Sequence, residues 1–417
     1  MSLIKNSVYN LAGFAIPTLI AVPALGFLAR VIGVEAFGIF TLAFAIVGYA
    51  SIFDAGLSRA VIREISMFRE DMREQQNIIS TAGIVVFVLG LLAAFLLLLS
   101  IPHLSSLLKI SADMASEARS CFLMLALIIP VYLLNQVWLA WLEGHENFIN
   151  INVQRSISNS AIAGLPALCC MFTPSLTSAI AGLVMGRLIS FLITLVICRK
   201  IIFSSGIHFN RATFSRLIRF GGWLTVSNII SPMMVYFDRF VVSNLLGADK
   251  IAYYTAPSEG VGRLLNIPAA LARALFPKLS YAQDGGERAR LEKQSFLLMS
   301  VACIPIVVIC LLFAKPLMTL WMGADVGEHS AVILQVLIIG FYFNAIAQIP
   351  YSLIQAAGLA KFTALIHLIE VVPYLVILYF LTLHFGLLGT AIAWTGRVAI
   401  DALLLNIVAK KTSRHNS

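Results

Sequence analysis

Ten charged residues lie within or close to long apolar segments of this sequence, and their types decide which chemistry is open to the chain. They are five arginines and five acids: Asp54, Arg155, Arg187, Asp238, Arg239, Glu259, Arg263, Glu370, Arg397 and Asp401. A charge near the middle of a bilayer costs roughly 3 kcal/mol or more, so such residues usually face a protein interior or an aqueous cavity. The arginines are therefore candidates for binding an anion, the acids for carrying a proton, and both for forming internal salt bridges. Asp54 and Arg155 lie near the ends of their predicted helices, where solvation at the membrane interface is an alternative explanation.

Arg187 interrupts the apolar segment AGLVMGRLISFL, which has no acidic residue within one helical turn of it. An arginine in that place needs a partner from another helix or an anionic ligand. Its planar, permanently charged guanidinium matches the oxygens of a phosphate group. Asp238 and Arg239 are neighbours that point about 100° apart on a helix, so they cannot satisfy each other. The sequence favours contact between Arg187 and an anionic ligand.

Two pairs of charges have the spacing of salt bridges within one helix. Glu259 and Arg263 are four residues apart, as are Arg397 and Asp401. Residues at this spacing share a helix face. For these four residues the sequence leaves internal pairing and ligand contact equally open.

His367 and Glu370 lie one turn apart on a predicted helix. Histidine titrates near neutral pH, so this pair has the chemistry to carry a coupling proton. A hydrogen-bonded pair in a helix interior is the alternative interpretation, and the sequence favours that alternative.

The composition shows what kind of protein must position these charges. The chain has 417 residues, of which 60% are hydrophobic and only 12% charged, whereas soluble domains are about a quarter charged. Apolar segments long enough to cross a bilayer as helices recur throughout, and lipid leaves helices as the way to satisfy their backbones. We predict an all-α polytopic membrane protein with twelve spans, at roughly 8–29, 36–58, 78–101, 119–142, 151–172, 177–198, 222–246, 251–272, 294–314, 330–354, 362–383 and 387–409.

Lysine and arginine gather in alternate loops. Residues 59–77 hold four, residues 199–219 and 273–293 hold five each, and residues 410–417 hold three. The positive-inside rule then predicts that both termini are cytoplasmic. The net charge of +9 follows from this bias and from attraction to anionic lipid headgroups, so no nucleic-acid partner is predicted.

An internal repeat predicts how the spans are grouped. Residues 54–61, DAGLSRAV, match residues 268–275, PAALARAL, at a constant shift of 214 residues that makes Arg59 equivalent to Arg273. Six spans per repeat keep both halves in one orientation, related by a pseudo-two-fold axis along the membrane normal. The predicted domains are two six-helix bundles, 1–203 and 221–417, joined by a basic cytoplasmic linker, 204–220.

Arg59 and Arg273 are thereby predicted at the cytoplasmic ends of the second and eighth spans. Long basic side chains in such places commonly reach out to lipid headgroups. The alternative is that the two arginines flank the cytoplasmic mouth of a cavity.

No enzyme motif accompanies these features. The chain lacks a Gly-rich phosphate loop ending in Gly-Lys-Ser/Thr, a His-Glu-x-x-His and a Gly-x-Ser-x-Gly. Its six cysteines fall in apolar segments without metal-ligand spacing. We predict no enzymatic activity, no cofactor and no metal site.

Two stretches resemble Wzx-type polysaccharide transporters of the multidrug/oligosaccharidyl-lipid/polysaccharide exporter superfamily. Residues 237–280 resemble that family's seventh and eighth helices, and residues 28–66 resemble its N-terminal signature; residues 220–230 and 141–148 also fit. The resemblance implies a bacterial inner-membrane flippase for O-antigen or related surface polysaccharides. Such a flippase moves an undecaprenyl-diphosphate-linked oligosaccharide from the cytoplasmic to the periplasmic leaflet. It also implies two bundles around a cationic cavity and ion-coupled alternating access.

The chemistry of such a substrate suggests hypothetical roles for the charged residues of this sequence. Arg59 and Arg273 would guide the diphosphate in, and Arg187, Arg239 and Arg263 would hold it. The candidates for ion coupling, by H⁺ or Na⁺, are Asp54, Glu259 and Glu370. Implied partners besides the lipid-linked oligosaccharide and membrane lipid are a polysaccharide polymerase and a chain-length regulator.

Three other functions are open to a chain of this kind. A multidrug or cation antiporter of the same superfamily needs a net acidic interior, which five arginines against five acids do not favour. A membrane glycosyltransferase or polymerase usually has a sizeable extracytoplasmic loop, whereas the outward loops predicted here are short. A scaffold would leave the unpaired arginines within the spans unexplained.

Overall fold

The computed structural model describes residues 3–54, 56–269, 271–272, 285–356 and 360–415. In this part of the chain the regular elements are helices and no strand occurs, which confirms the all-α prediction. The α-helices are α1 Leu3–Val31, α2 Val34–Ala50, α3 Leu57–Met67, α4 Met72–Leu107, α5 Ala112–Gly144, α6 Phe148–Phe172, α7 Leu176–Ser205, α8 Arg211–Leu246, α9 Ala248–Leu264, α10 Gly285–Met322, α11 Ala324–Ala356 and α12 Ala360–His415.

Seven helical segments in the described ranges are long and apolar enough to cross a membrane. They are Val34–Asp54, Met72–Leu107, Ala112–Gly144, Leu176–Ser205, Arg290–Met322, Ala324–Ile354 and Leu365–Lys410. Large apolar side chains of α4 such as Val88, Leu92 and Phe95 are exposed, as lipid-facing side chains are. The chain is therefore a multi-pass membrane protein. The count of twelve spans stays a prediction.

Helix α12 is a hairpin of two antiparallel legs. Straight, its 56 residues would extend about 84 Å, far beyond the roughly 30 Å hydrocarbon core. Gly386 breaks it with φ 59° and ψ −140°, a backbone conformation that favours glycine. The hydroxyls of Thr382 and Thr390 lie 2.9 Å apart across the break, although eight residues of straight helix would span about 12 Å.

The second predicted span, 36–58, ends earlier than expected. Helix α2 stops at Ala50, and a 3₁₀ turn, Ser51–Asp54, leads to Gly56, whose φ of 70° and ψ of 6° end the run. The Asp54 carboxylate accepts hydrogen bonds from the Ser58 amide at 3.2 Å and the Ser58 hydroxyl at 2.8 Å. It thereby caps α3, so Arg59 lies in the first turn of a separate helix.

The chain divides into two compact units, which we call the first unit, Met1–Phe240, and the second unit, Val241–Ser417. In the first unit α4 packs against α5, and α7 packs against both α5 and α6. In the second unit α11 packs against α10 and α12. The boundary falls within α8, whereas the sequence predicts a linker at 204–220; that domain division stays a prediction.

Hydrogen bonds hold part of the predicted linker against α4. The Ser80 hydroxyl donates to the His208 carbonyl oxygen and accepts from the His208 amide, each at 2.7 Å. The Asn210 amide donates to Thr81 Oγ1 at 3.0 Å. These residues are therefore a fixed part of the first unit.

Candidate functional sites

The Arg187 side chain extends from α7 over an aromatic ring of α5. Its guanidinium carbon lies 4.6 Å from the centre of the Tyr132 ring, within the distance of a cation–π interaction. Its Nε is buried, and among the described residues no hydrogen bond or ion pair reaches this guanidinium. A half-buried guanidinium whose donors are not occupied by the described residues is suited to an anionic ligand, and contact with such a ligand stays a prediction.

Close packing of two helices fixes the direction in which Arg187 points. A side chain at Gly186 would place its Cβ 2.7 Å from the Ile162 Cα, and one at Gly182 would come 2.6 Å from the Leu165 backbone. Glycines therefore let the α7 and α6 backbones touch, as in small-residue contacts of membrane helices. With that face turned to α6, the neighbouring Arg187 is presented to α5.

Arg239 is buried in α8 and ties this helix to α2. Its Nη1 donates to the Thr41 carbonyl oxygen at 3.0 Å, and its backbone amide donates to Asp238 Oδ1 at 2.7 Å. The guanidinium carbon lies 5.4 Å from the centre of the Tyr236 ring. Arg239 therefore already has a structural role, and its charge is held over an aromatic face.

Tyrosine rings connect these two arginines. Tyr236 lies near Arg187 and packs 6.4 Å, centre to centre, from Tyr49. The Tyr49 hydroxyl is buried and has no hydrogen-bond partner in the described part of the chain. We call Tyr49, Tyr132, Arg187, Tyr236 and Arg239 the tyrosine–arginine cluster.

This cluster has the chemistry to bind a phosphate group beside sugars. The arginines supply permanent positive charge and paired N–H donors, while the rings stabilise that charge without neutralising it. Tyrosine hydroxyls donate and accept hydrogen bonds, and their rings offer an apolar face.

The structure gives the other predicted binding residues different surroundings. Arg263 Nη2 lies 3.4 Å from Glu259 Oε2, so these two residues form the internal pair that the sequence left open. Arg59 is exposed on α3. Arg273 lies outside the described residues. The structure thus does not show the five arginines predicted for one cavity lining a common site.

A second cluster of charges lies in the hairpin of α12. His367 Nδ1 is 3.8 Å from Glu370 Oε2 and 3.6 Å from Asp401 Oδ1. The side chains of Glu370 and Asp401 are only 7% and 10% exposed, and that of His367 is 31% exposed. We call these three residues the acid–histidine cluster. It is the predicted His367 and Glu370 pair with a second acid added.

Arg397 lies near this cluster on the second leg of α12. Its guanidinium carbon is 5.4 Å from the centre of the Tyr374 ring, and it interacts electrostatically with Asp401. Tyr351 of α11 packs beside His367, with 6.3 Å between ring centres. One arginine and two aromatic rings thus lie beside the cluster.

The other two residues predicted for ion coupling, Asp54 and Glu259, each already have a partner in the protein. Asp54 caps α3 through Ser58, and Glu259 pairs with Arg263. Glu370 differs, since both of its carboxylate oxygens are buried and neither has a hydrogen-bond partner among the described residues.

The sequence prediction missed Asp401 as a partner of Glu370, although a signal for it exists. Glu370 precedes Gly386 by 16 residues (386 − 370) and Asp401 follows it by 15 (401 − 386). A hairpin that turns at Gly386 therefore brings both acids to the same height. Tyr49 and Tyr132 were also missed, and their spacing relative to Arg187 carries no such signal.

Comparison with known proteins identifies the family. The model of the family described as "Polysaccharide biosynthesis protein" matches residues 3–283, about two thirds of the chain. The chain belongs to this family. The resemblance to Wzx-type polysaccharide transporters is thereby confirmed.

Curated members of the family extend the match over nearly the whole chain. A Shigella flexneri protein, provisionally named an O-antigen transporter, is 52% identical over 405 residues, 97% of each chain. The lipopolysaccharide biosynthesis protein WzxC of Escherichia coli K12 is 26% identical over 299 residues, 70% of this chain and 58% of its own.

Solved structures show the fold of this family member. An inward-facing multidrug transporter of the MATE family, from the MOP superfamily, aligns with a TM-score of 0.77 and 16% identity, over 100% of this chain and 96% of its own. The lipid II flippase MurJ, in an inward closed conformation, aligns with a TM-score of 0.76 and 17% identity, over 98% and 90%. The chain therefore has the fold of these transporters.

Proposed function

We propose that this protein is a flippase for undecaprenyl-diphosphate-linked oligosaccharide repeat units. It moves them from the cytoplasmic to the periplasmic leaflet of a bacterial inner membrane, for O-antigen or a related surface polysaccharide. The observation that carries the proposal is Arg187, whose half-buried side chain lies on the Tyr132 ring and has no acidic partner among the described residues. A diphosphate is the anion that such a substrate supplies.

The names of relatives support this substrate class. The Shigella flexneri relative is named for O-antigen transport, and the structural neighbour MurJ is named a lipid II flippase. The proposed membrane is the bacterial inner membrane, with both termini in the cytoplasm. A polysaccharide polymerase and a chain-length regulator are the proposed partners on the pathway.

The headgroup, and not the lipid tail, is the part of the substrate that needs a protein to cross the bilayer. A diphosphate with attached sugars loses hydration in hydrocarbon, which costs many kcal/mol for an unpaired charge. The tyrosine–arginine cluster would hold the diphosphate by charge-assisted hydrogen bonds, while tyrosine hydroxyls meet the sugars. The lipid tail remains in the bilayer as the headgroup crosses.

Ion coupling is assigned in this proposal to Glu370, with His367 and Asp401. A proton or a sodium ion that binds these acids changes the charge inside the second unit during each cycle of alternating access. Glu370 is preferred over Asp54 and Glu259 because its carboxylate oxygens have no hydrogen-bond partner in the described residues.

A multidrug antiporter is the second candidate function. The observation that favours it is the likeness of fold to the MATE multidrug transporter, with a TM-score of 0.77. An antiporter of this kind would raise drug tolerance when overexpressed, whereas the proposed flippase would leave drug tolerance unchanged.

Analysis of lipid-linked glycans in a strain lacking the gene tests the proposal. Undecaprenyl lipids are extracted and their glycans identified by mass spectrometry, with and without the gene restored on a plasmid. We expect a complete repeat unit to accumulate and surface polysaccharide to disappear, with both reversed by the plasmid. Unchanged lipid-linked glycans and normal surface polysaccharide would overturn the proposal.

A further inference from the structure

Four potential ligand atoms converge in the acid–histidine cluster of α12. Glu370 Oε1 and Oε2, Asp401 Oδ1 and His367 Nδ1 are all buried, and none has a hydrogen-bond partner among the described residues. A buried polar atom left without a partner costs about 1–3 kcal/mol. A cluster of such atoms is explained most directly by a bound ion that they share.

The separations of the His367 nitrogen from the two acids fit ligands of one metal ion better than direct hydrogen bonds. The distances from His367 Nδ1 to Glu370 and Asp401, 3.8 and 3.6 Å, exceed those of hydrogen bonds, about 2.7–3.2 Å. Two ligands about 2.1 Å from a tetrahedral metal lie about 3.4 Å apart. One ligand atom from each residue lies within 4.8 Å of the others.

The ligand set and its charge select the class of metal. Two carboxylates neutralise a divalent cation, and an imidazole nitrogen is a ligand that suits zinc, copper, iron or nickel. Magnesium and calcium prefer six or more ligands that are all oxygens, whereas this site offers three buried carboxylate oxygens and one imidazole nitrogen. One imidazole and two carboxylates, with one position open, match the ligands of zinc and similar transition metals.

We propose that His367, Glu370 and Asp401 bind one divalent transition-metal ion of the zinc class. The apolar residues Ile366 and Ala402 next to two of the ligands belong to a packed apolar group with α11, and such a shell limits the access of water to a metal site. The positive charge of Arg397 repels a metal cation, but this charge lies over the Tyr374 ring, which stabilises it. His367, the most exposed ligand, is the side from which a metal enters.

A metal in this site would clamp the two legs of the hairpin together across Gly386. It would also occupy the carboxylates to which we assign ion coupling, so zinc is expected to inhibit transport. That inhibition rests on the proposed function, whereas metal binding itself does not.

Cobalt(II) titration of the purified full-length protein tests the site, because tetrahedral Co²⁺ absorbs visible light. We expect one Co²⁺ per chain with tetrahedral absorption bands, displaced by Zn²⁺ and not by Na⁺. His367→Gln, Glu370→Gln and Asp401→Asn should each weaken binding at least about tenfold. His384→Gln is the matched control, since His384 is exposed on the same helix, and should bind as the unmodified protein does.

A ligand exchange separates loss of a ligand from loss of the fold. Because thiolate is also a zinc-class ligand, His367→Cys should keep one Co²⁺ and add a near-ultraviolet thiolate-to-cobalt absorption band. Absence of that band in a monodisperse His367→Cys protein would overturn the proposal, as would unchanged Co²⁺ affinity in the three ligand variants or no saturable binding. These measurements use no transport substrate, so they succeed or fail independently of the flippase proposal.

Discussion

The tyrosine–arginine cluster of the first unit and the acid–histidine cluster of the second unit both place charge among apolar helices, but with different support. Arg187 and Arg239 lie against tyrosine rings, at 4.6 and 5.4 Å from the ring centres. Glu370 and Asp401 instead lie near a histidine and each other, without hydrogen bonds to the buried oxygens of Glu370 in the described residues.

This difference teaches what each cluster can do. An arginine on an aromatic face keeps its charge at every physiological pH, so it attracts an anion permanently. Carboxylates with a histidine change charge when they gain a proton or a cation. The tyrosine–arginine cluster is therefore suited to binding an anionic substrate, and the acid–histidine cluster to changing its charge when an ion binds.

A third set of charges, centred on Glu64, forms direct ion pairs. The Glu64 carboxylate is only 3% exposed, and it accepts from Arg216 Nε at 2.9 Å and from Arg63 Nη1 at 3.1 Å. Arg216 also pairs with Glu74. The buried Glu64 charge is thus paired directly with opposite charge, in contrast to Arg187.

The largest expected effect comes from removing the charge of the first cluster. Arg187→Gln should lower transport of the lipid-linked glycan about tenfold to a hundredfold, because charge-assisted hydrogen bonds contribute about 1.5–3 kcal/mol. Arg187→Lys should recover part of that loss. Surface polysaccharide in a complemented deletion strain, normalised to the amount of protein in the membrane, gives the measurement.

Arg155→Gln is the control for this prediction. Arg155 forms an exposed ion pair with Glu143 at 3.1 Å, and such pairs contribute little. Equal activity of Arg187→Gln and Arg155→Gln would show that Arg187 does not hold the substrate.

The next effect sharpens the role of the second cluster. Glu370→Gln keeps the shape of the side chain but removes its charge, so transport should lose its dependence on the ion gradient and fall about tenfold. Transport into vesicles with and without an imposed proton or sodium gradient measures this. Glu328→Gln, which alters an exposed pair with Lys315, should retain the dependence; loss in both variants would contradict the assignment.

A smaller change tests whether the aromatic ring supports Arg187. Tyr132→Leu should reduce transport a few-fold, because cation–π interactions contribute about 0.5–2 kcal/mol. Tyr132→Phe keeps the ring and should retain most of the activity at equal protein level. If the phenylalanine and leucine variants transport equally well, the ring has no such role.

The smallest expected effect concerns the turn that assembles the second cluster. Gly386→Ala forces alanine into a positive φ, so thermal stability should decrease by about 1 kcal/mol. Gly396→Ala, with open space around a helical glycine on the same α12, should leave stability unchanged or slightly raised. Thermal unfolding of the purified proteins in detergent compares the two, and an equal or greater loss in Gly396→Ala would be the contrary result.

The sequence predicts the helical membrane fold well, because hydropathy and helix length are properties of single segments. It also indicates that Arg187 has no acidic partner on its own helix, because the absence of a nearby acid can be read directly from the sequence. It mistakes the end of the second span, where Asp54 caps α3 and Gly56 ends the run. The error has a physical cause. The apolar pattern of the sequence continues through a turn, and this turn is imposed by backbone conformation and capping, which the pattern does not show.

The sequence does not predict which residues of other helices contact a given side chain. Tyr132 lies 55 positions before Arg187 (187 − 132), and only the packing of α5 on α7 brings them together. Asp401 is intermediate, since its distance from Gly386 is informative once the turn is recognised. Contacts between distant helices depend on rotations that close glycine packing sets, as at Gly182 and Gly186.

The sidedness of the lipid-linked glycan in intact spheroplasts tests the central claim most directly. Spheroplasts that carry the unmodified protein, Arg187→Gln or no protein are treated with a membrane-impermeant glycan-modifying reagent, and the modified fraction is measured by mass spectrometry. We predict a modified, outward-facing glycan with the unmodified protein, and an unmodified, inward-facing glycan in the other two strains. Equal modification in all three strains would contradict the account.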